Sequence, residues 1–229
     1  MCSRYALKNK PKDIAGLFKT EKVVDWKPRY NIAPAQRIPA FIRTLDHKGH
    51  EFKMLQWGFF APWAQGGRLL VNVQSEEIRQ KPVFTESFEK WRCLIPASGF
   101  FEWRHQAKET RPFYFQMADE APFAFAGIWG QQKVEGENVE VCAILTTQPN
   151  EMVRAVHDRM PVILDPKDFG LWLDSEDVRD FERIEALFKP FPAARMKSYA
   201  VGSVVNKVAH DGPECIQPSN EPETLSFQF

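Results

Sequence analysis

Phe123-Ala124-Phe125-Ala126-Gly127-Ile128-Trp129 and, across the turn Val134-Glu135-Gly136-Glu137-Asn138, Val139-Glu140-Val141-Cys142-Ala143-Ile144-Leu145-Thr146-Thr147 are the segments that decide the fold. Each is a short apolar run bounded by turn residues, and together they predict two strands around one turn. Upstream, Arg92 to Ile95, Gly99 to Trp103 and Pro112 to Met117 read as further extended runs. Ile38 to Leu45 and Glu51 to Trp57 read as strands joined by a hairpin at Asp46-His47-Lys48-Gly49-His50, and Met160 to Leu164 and Met196 to Val205 as strands beyond the opening pair. Helical patterns are short and lie between them. Lys12 to Thr20 sets Ile14, Leu17 and Phe18 at helical spacing. Thr85 looks like the cap of a second helix, and Pro149 to His157 forms a third. Asp165-Pro166 opens a fourth through Trp172, and Glu176 to Phe188 is a fifth.

Three connecting segments carry unusual residues. Arg29-Tyr30-Asn31-Ile32-Ala33-Pro34 lies between Pro28 and Pro34 and is expected to be a loop of fixed shape. Trp57-Gly58-Phe59-Phe60-Ala61-Pro62-Trp63 reads as an aromatic turn, and Leu69-Leu70-Val71 delivers Asn72. The stretch from Gly212, with Pro213, Pro218 and Pro222, is expected to be loosely held.

The 229 residues, 44% hydrophobic and 13% aromatic, suit one β-rich domain with a sizeable core. There is no apolar run near membrane-spanning length and no secretory signal, so a cytoplasmic protein without membrane contact is expected. Cys2, Cys93, Cys142 and Cys215 are scattered without a CxxC pair, which fits thiols rather than a disulfide framework. The five histidines lack ligand spacing, so neither metal nor cofactor is expected. Formal charge is zero but uneven: residues 1–30 hold eight Lys/Arg against three Asp/Glu, and residues 211–229 hold four acids and no base. A phosphate-facing patch near the N-terminal end and a merely solvated basic face fit this pattern equally.

Met1-Cys2-Ser3-Arg4 places a thiol one residue from the start. Removal of Met1 would leave Cys2 as a 1,2-aminothiol, which condenses with an aldehyde to an imine and then closes intramolecularly to a thiazolidine. By itself Cys2 reads as well as an ordinary residue near a frayed terminus. Standing alone, Glu102 reads equally as a surface acid, His157 as a helix-end charge and Asn72 as a turn residue.

Taken in order, Met1-Cys2, Arg29 to Pro34, Trp57-Gly58 to Trp63, Asn72, Ser98-Gly99-Phe100-Phe101-Glu102-Trp103 and His157-Asp158-Arg159-Met160-Pro161-Val162 resemble the SOS response-associated peptidase (SRAP) family of abasic-site-processing proteins. The resemblance implies a compact α+β fold: a single domain over residues 1–229, with a β-barrel-like core of mixed and antiparallel sheet and peripheral helices. It implies a monomer that binds single-stranded DNA carrying an abasic site and links Cys2 to the deoxyribose aldehyde. In that resemblance Cys2 is the nucleophile, Glu102 holds the α-ammonium and moves protons, His157 helps open the sugar, and Asn72 orients the reacting group. Arg4 and Arg159 fall where the family contacts phosphates, Trp63 and Pro34 where it faces bases or sugar, and Thr146 is a hydrogen-bonding neighbour. Trp57 reads as core.

Two positions depart from the family pattern. Ser3 stands where glycine is usual, so a positive φ there would be strained. Gln74 stands at an arginine position of the DNA-binding set, which removes one phosphate contact that Arg79 or Lys81 would have to replace. Two other readings use fewer of these residues: an N-terminal-nucleophile amidohydrolase acting through Cys2, and a single-strand binding module without catalysis. Replacing Cys2 with Ala separates all three, removing cross-linking from the first, ammonia release from the second and nothing from the third.

Overall fold

The computed structural model describes residues 2–61, 68–106, 109–134, 136–175 and 181–219, so Trp63 lies outside the described residues. The elements run β1 (Arg4–Leu7), α1 (Pro11–Phe18), β2 (Arg29–Ile32), β3 (Arg37–Arg43), β4 (His50–Trp57), β5 (Phe59–Ala61), β6 (Arg68–Leu70) and β7 (Asn72–Gln74). They continue with α2 (Pro82–Lys90), β8 (Arg92–Ala97), β9 (Gly99–Gln106), β10 (Glu109–Met117), β11 (Phe123–Val134) and β12 (Glu137–Thr147). Last come α3 (Glu151–Arg154), β13 (Met160–Pro161), β14 (Ile163–Leu164), α4 (Phe169–Asp174), α5 (Phe181–Glu185) and β15 (Met196–Ala200).

The predicted strand pair is the hairpin β11–β12, in register from Gly127↔Ile144 to Val134↔Glu137. It closes a five-stranded ring. β11 pairs with β8, β8 with β3, β3 with β4, and β4 returns parallel to β12 through Val141↔Gln56 and Cys142↔Trp57. Closure leaves none of these five strands with two free edges and buries both faces of most of them. A second sheet, in the order β15-β10-β9-β1-β2, packs on this barrel. Its inner face contributes Tyr5 and Phe100, whose rings lie 5.7 Å and 6.2 Å from Phe125. Its outer face, with Ala6, Phe101 and Tyr114, forms a separate small core with Val201, Val205 and Cys215. Gly99 starts β9 because a Cβ there would sit 2.3 Å from the Tyr114 ring.

The structure departs from the sequence expectations at several places. Arg29–Ile32 is a strand and not a loop, paired to β1 through Tyr5↔Ile32. Its backbone N–H groups at Tyr30 and Asn31 both donate to Asp211, and the buried Asn31 amide donates to the carbonyls of Val205, Lys207 and His210. A segment far along the chain thus fixes it. Those contacts also dock Gly212–Ser219, expected to be loose: Cys215 is fully buried, and the Tyr199 hydroxyl donates to Ile216 O at 2.9 Å. Thr85 does not cap α2. Pro82 opens that helix, and Thr85 Oγ1 donates back to Lys81 O at 3.2 Å. Asp165 makes no cap bond and pairs with Arg195 at 2.6 Å. Met160–Leu164 breaks at Val162, so that Met160–Pro161 pairs with β12 and Ile163–Leu164 with β11. The run from Met196 ends as strand at Ala200 and continues as a 3-10 turn at Ser203–Asn206. In the fifth predicted helix, 176–180 fall outside the described residues and Phe181–Glu185 is helical. All four cysteines are free and buried. Among the described residues no helix is long and apolar enough to cross a membrane, and no cluster of side chains is suited to a metal.

Candidate active site

The antiparallel register Arg4↔Phe101, carried two residues toward the start of the chain, lays Cys2 and Ser3 beside Trp103 and Glu102. Parallel pairing of β7 with β12, Ile144↔Asn72, brings Asn72 to the same place, and its Nδ2 donates to Cys2 O at 2.7 Å. The Asn72 Oδ1 is buried and has no hydrogen-bond partner among the described residues. His157 arrives from the turn after α3, itself started by Asn150, whose side chain accepts from Val153 N. Its Nε2 lies 3.8 Å from Glu102 Oε2. Four residues remote in sequence therefore converge: Cys2, Asn72, Glu102 and His157.

Their electrostatics follow from burial. Glu102 is 2% exposed, and loss of hydration pushes its carboxyl up to about 7. Burial, opposed in part by the neighbouring Asp158 carboxylate, lowers the His157 imidazole below its ordinary value. The two shifts agree that this contact joins a neutral ring to a carboxyl near half-protonation, not a fixed ion pair. His157 Nδ1 meets the Arg159 N–H at 2.9 Å and, on the acceptor side, Asp158 Oδ1 at 3.0 Å and Arg159 O at 3.2 Å. Such a ring can keep its proton on either nitrogen. Cys2 has no exposed surface in the chain that carries Met1. Burial first, and the Glu102 charge second, raise its thiol well above the usual range. Nucleophilic sulfur therefore needs a base beside it.

The implied DNA-contact residues are placed differently. Arg4 is half-buried and engaged by the protein, donating to Asn31 Oδ1 at 2.9 Å and Val205 O at 2.8 Å. Arg159 is 8% exposed, forks onto Glu76 at 2.9 and 2.7 Å and donates to Thr146 O at 2.6 Å. Thr146 is fully buried, its hydroxyl donating to Val73 O at 3.3 Å. Pro34 is half-buried in the turn before β3, and Gln74 lies opposite Thr146. Ser3 is absent from the positive-φ positions, so serine there carries no left-handed strain. Arg79 pairs with Glu185 at 3.5 Å and Lys81 with Glu77. Asn72 and Gln74 also line an open cavity of about 920 Å³ whose floor includes Val71 and Phe84 and whose rim carries Arg68 and Lys81. Glu76 stands two residues past Gln74, and nothing local in the sequence marks it as the partner of an arginine 83 positions away.

The sequence matches the family model for SOS response associated peptidase (SRAP) over residues 1–208. It is 33% identical over 225 residues to the abasic site processing protein YoqW of Bacillus subtilis (strain 168), covering 95% of this chain and 99% of that one. It is 26% identical over 225 residues to the abasic site processing protein YedK of Escherichia coli (strain K12), covering 95% and 100%. A crystal structure of a protein from Bacteroides thetaiotaomicron superposes with a TM-score of 0.79 at 26% identity, covering 95% of this chain and 100% of that one. The match to the family model spans most of the sequence, the fold is shared with the solved structure, and the chain belongs to the SRAP family.

Proposed function

We propose that this protein processes abasic sites in single-stranded DNA by forming a covalent thiazolidine with them through Cys2, once Met1 has been removed. The observation that carries the reading is the convergence of Asn72, Glu102 and His157 on Cys2, with Asn72 Nδ2 2.7 Å from Cys2 O and His157 Nε2 3.8 Å from Glu102 Oε2. His157, able to give and take a proton, opens the sugar hemiacetal to its aldehyde. The freed Cys2 nitrogen adds to the C1′ carbonyl to give a carbinolamine. Glu102, near half-protonation at neutral pH, protonates the hydroxyl that leaves as water, and an imine remains. The Cys2 thiol then adds across the C=N bond, its sulfur joining carbon and its proton passing by way of Glu102 to nitrogen. The net change is protein plus DNA minus one water. Asn72 holds the Cys2 carbonyl during both bond-forming steps. β-Elimination from the imine, which expels the 3′ phosphate, would account for weak lyase activity; removal of Met1 by the protein itself belongs to the same proposal. The open 920 Å³ cavity beside Asn72, with Arg68 at its rim, supports a substrate as large as a nucleic-acid strand.

Intact-mass measurement after incubation with an oligonucleotide bearing one abasic site tests this reading. The expected species is protein lacking Met1 plus DNA minus one water, formed without reductant and lost in Cys2→Ala. An adduct on protein that retains Met1, or one that survives Cys2→Ala, overturns it. Cys2→Ser is expected to nick the strand slowly, because an imine without sulfur closure persists.

A further inference from the structure

We propose that Glu76 is a positioning residue for His157: by gripping the Arg159 guanidinium it fixes the turn that aims the imidazole at Glu102. The inference rests on the reading above and assigns Glu76 a part in it. Glu76 lies on the 3-10 turn Ser75–Glu77, directly after β7, the strand that delivers Asn72 to Cys2. Its two carboxylate oxygens take Arg159 Nη1 at 2.9 Å and Nη2 at 2.7 Å, and the same Nη2 donates to Thr146 O at 2.6 Å. The backbone N–H of that one arginine is what meets His157 Nδ1 at 2.9 Å. Position therefore passes through a single residue, from carboxylate to guanidinium to backbone to ring. One side chain ties the strand that holds Cys2 to the turn that carries His157.

A single-contact ion pair between two solvated side chains would do little of this, since such pairs are screened and loosely held. The Glu76 side chain is itself 47% exposed, but the contact is bidentate and the arginine side chain is 10% exposed, so the fork is fixed in direction as well as charge. Arg159 holds the Glu76 carboxyl down at about 2, so the pair persists throughout the neutral range. Changes in pH dependence on altering Glu76 must then come from the groups facing His157. These are the α-ammonium at the chain start, Glu102 and His105 on β9, and Asp158 and Arg159 on its own turn. Both Nη groups of Arg159 are taken by the fold, while its buried Nε has no hydrogen-bond partner among the described residues, so a phosphate contact through the forked face would require Glu76 to be displaced. The two roles make opposite predictions.

Glu76→Gln keeps the shape and removes the charge. Single-turnover adduct formation at saturating abasic DNA is expected to slow about tenfold, as for a misaimed proton-transfer group. Arg159→Gln is expected to slow it similarly, and the double variant no further. The ring nitrogen resonances of His157, read by 15N-detected NMR on the whole protein without DNA, are expected to shift in both single variants. Binding to an oligonucleotide with a stable tetrahydrofuran site is expected to keep its salt dependence. The proposal is overturned if Glu76→Gln leaves rate and His157 resonances as in the parent, or tightens binding and steepens the salt slope by about one phosphate contact. If the parent forms no adduct at all, the functional reading fails, and the His157 resonances alone decide the positioning role. If Glu76→Gln melts below the assay temperature, Glu76→Asp, charged but shorter, is measured instead and must show the same slow rate and shifted ring.

Discussion

At the scale of single residues the site is governed by a carboxyl that is costly to ionise. Glu102 sits at about 7 because burial removes its hydration, against an ordinary value of 4.5. A carboxyl whose folded value is raised favours the folded state when protonated. That contribution is fully present below about 4.5 and is lost as pH rises through about 7. Glu102→Gln cannot ionise, so thermal melts should show the variant gaining on the parent between pH 5 and pH 8, by up to about 3 kcal/mol at the upper end. Adduct formation by the same variant should fall by about 10²–10⁴. A variant no more stable at pH 8 than at pH 5, relative to the parent, would mean that Glu102 is already solvated or paired as an anion. The parent's adduct rate should also decline above about pH 7, as the acid that protonates the leaving hydroxyl is lost. Cys2, Asn72, Glu102 and His157 were legible in the sequence because their motifs stand in family order. The values of their protons were not, because hydration depends on packing that no motif records.

At the scale of elements, the informative case is Arg29–Ile32. Its flanking prolines argue for a loop, and local chemistry alone would leave it one. What makes it a strand lies about 180 residues away, in Asp211 and in the carbonyls that surround the Asn31 amide. Tertiary hydrogen bonds overrode a local turn preference. The residues there thus act as a clasp for the segment Ser203–Ile216, and Arg4 joins them through Asn31 Oδ1. Asn31→Ala removes a fully buried amide and strands several carbonyls. Chemical denaturation should report a loss of about 2–4 kcal/mol. Cleavage by a protease of low specificity should appear first within 203–219, where the docked segment loses its anchor. A loss under about 0.5 kcal/mol would show that water replaces the amide at no cost. Strands of the barrel were read correctly because both neighbours of each are close in pattern and period. Met160–Leu164 was read as continuous because the switch of partner from β12 to β11 at Val162 leaves no mark on side-chain type.

At the scale of the whole molecule, charge is distributed in a way that the sequence does not disclose. The first 30 residues hold eight basic side chains against three acids; the fold pairs two of them with distant acids and leaves Lys10, Lys12, Lys19, Lys22 and Lys27 exposed. Arg29 is paired with Asp211, and Lys8 approaches Glu120, which also takes Lys197 at 2.8 Å. Arg4 is turned to internal carbonyls and Arg159 to Glu76. The two arginines implied as phosphate contacts are therefore already engaged by protein groups, and a cationic track through Arg4 and Arg159 is not expected. Noncovalent binding to single-stranded DNA with a tetrahydrofuran site should accordingly engage only about three phosphates, a log–log salt slope near −2 at about 0.7 per contact. Affinity would then fall roughly 16-fold between 50 and 200 mM salt, measurable by fluorescence anisotropy. A slope of about −5 would mean that Arg4 and Arg159 leave their protein partners when DNA arrives, in which case the clasp at Asn31 and the fork at Glu76 open on binding. The shallow slope instead requires that recognition come mainly from the shape around Asn72 and from the covalent step, so that selectivity for the lesion exceeds affinity for the strand.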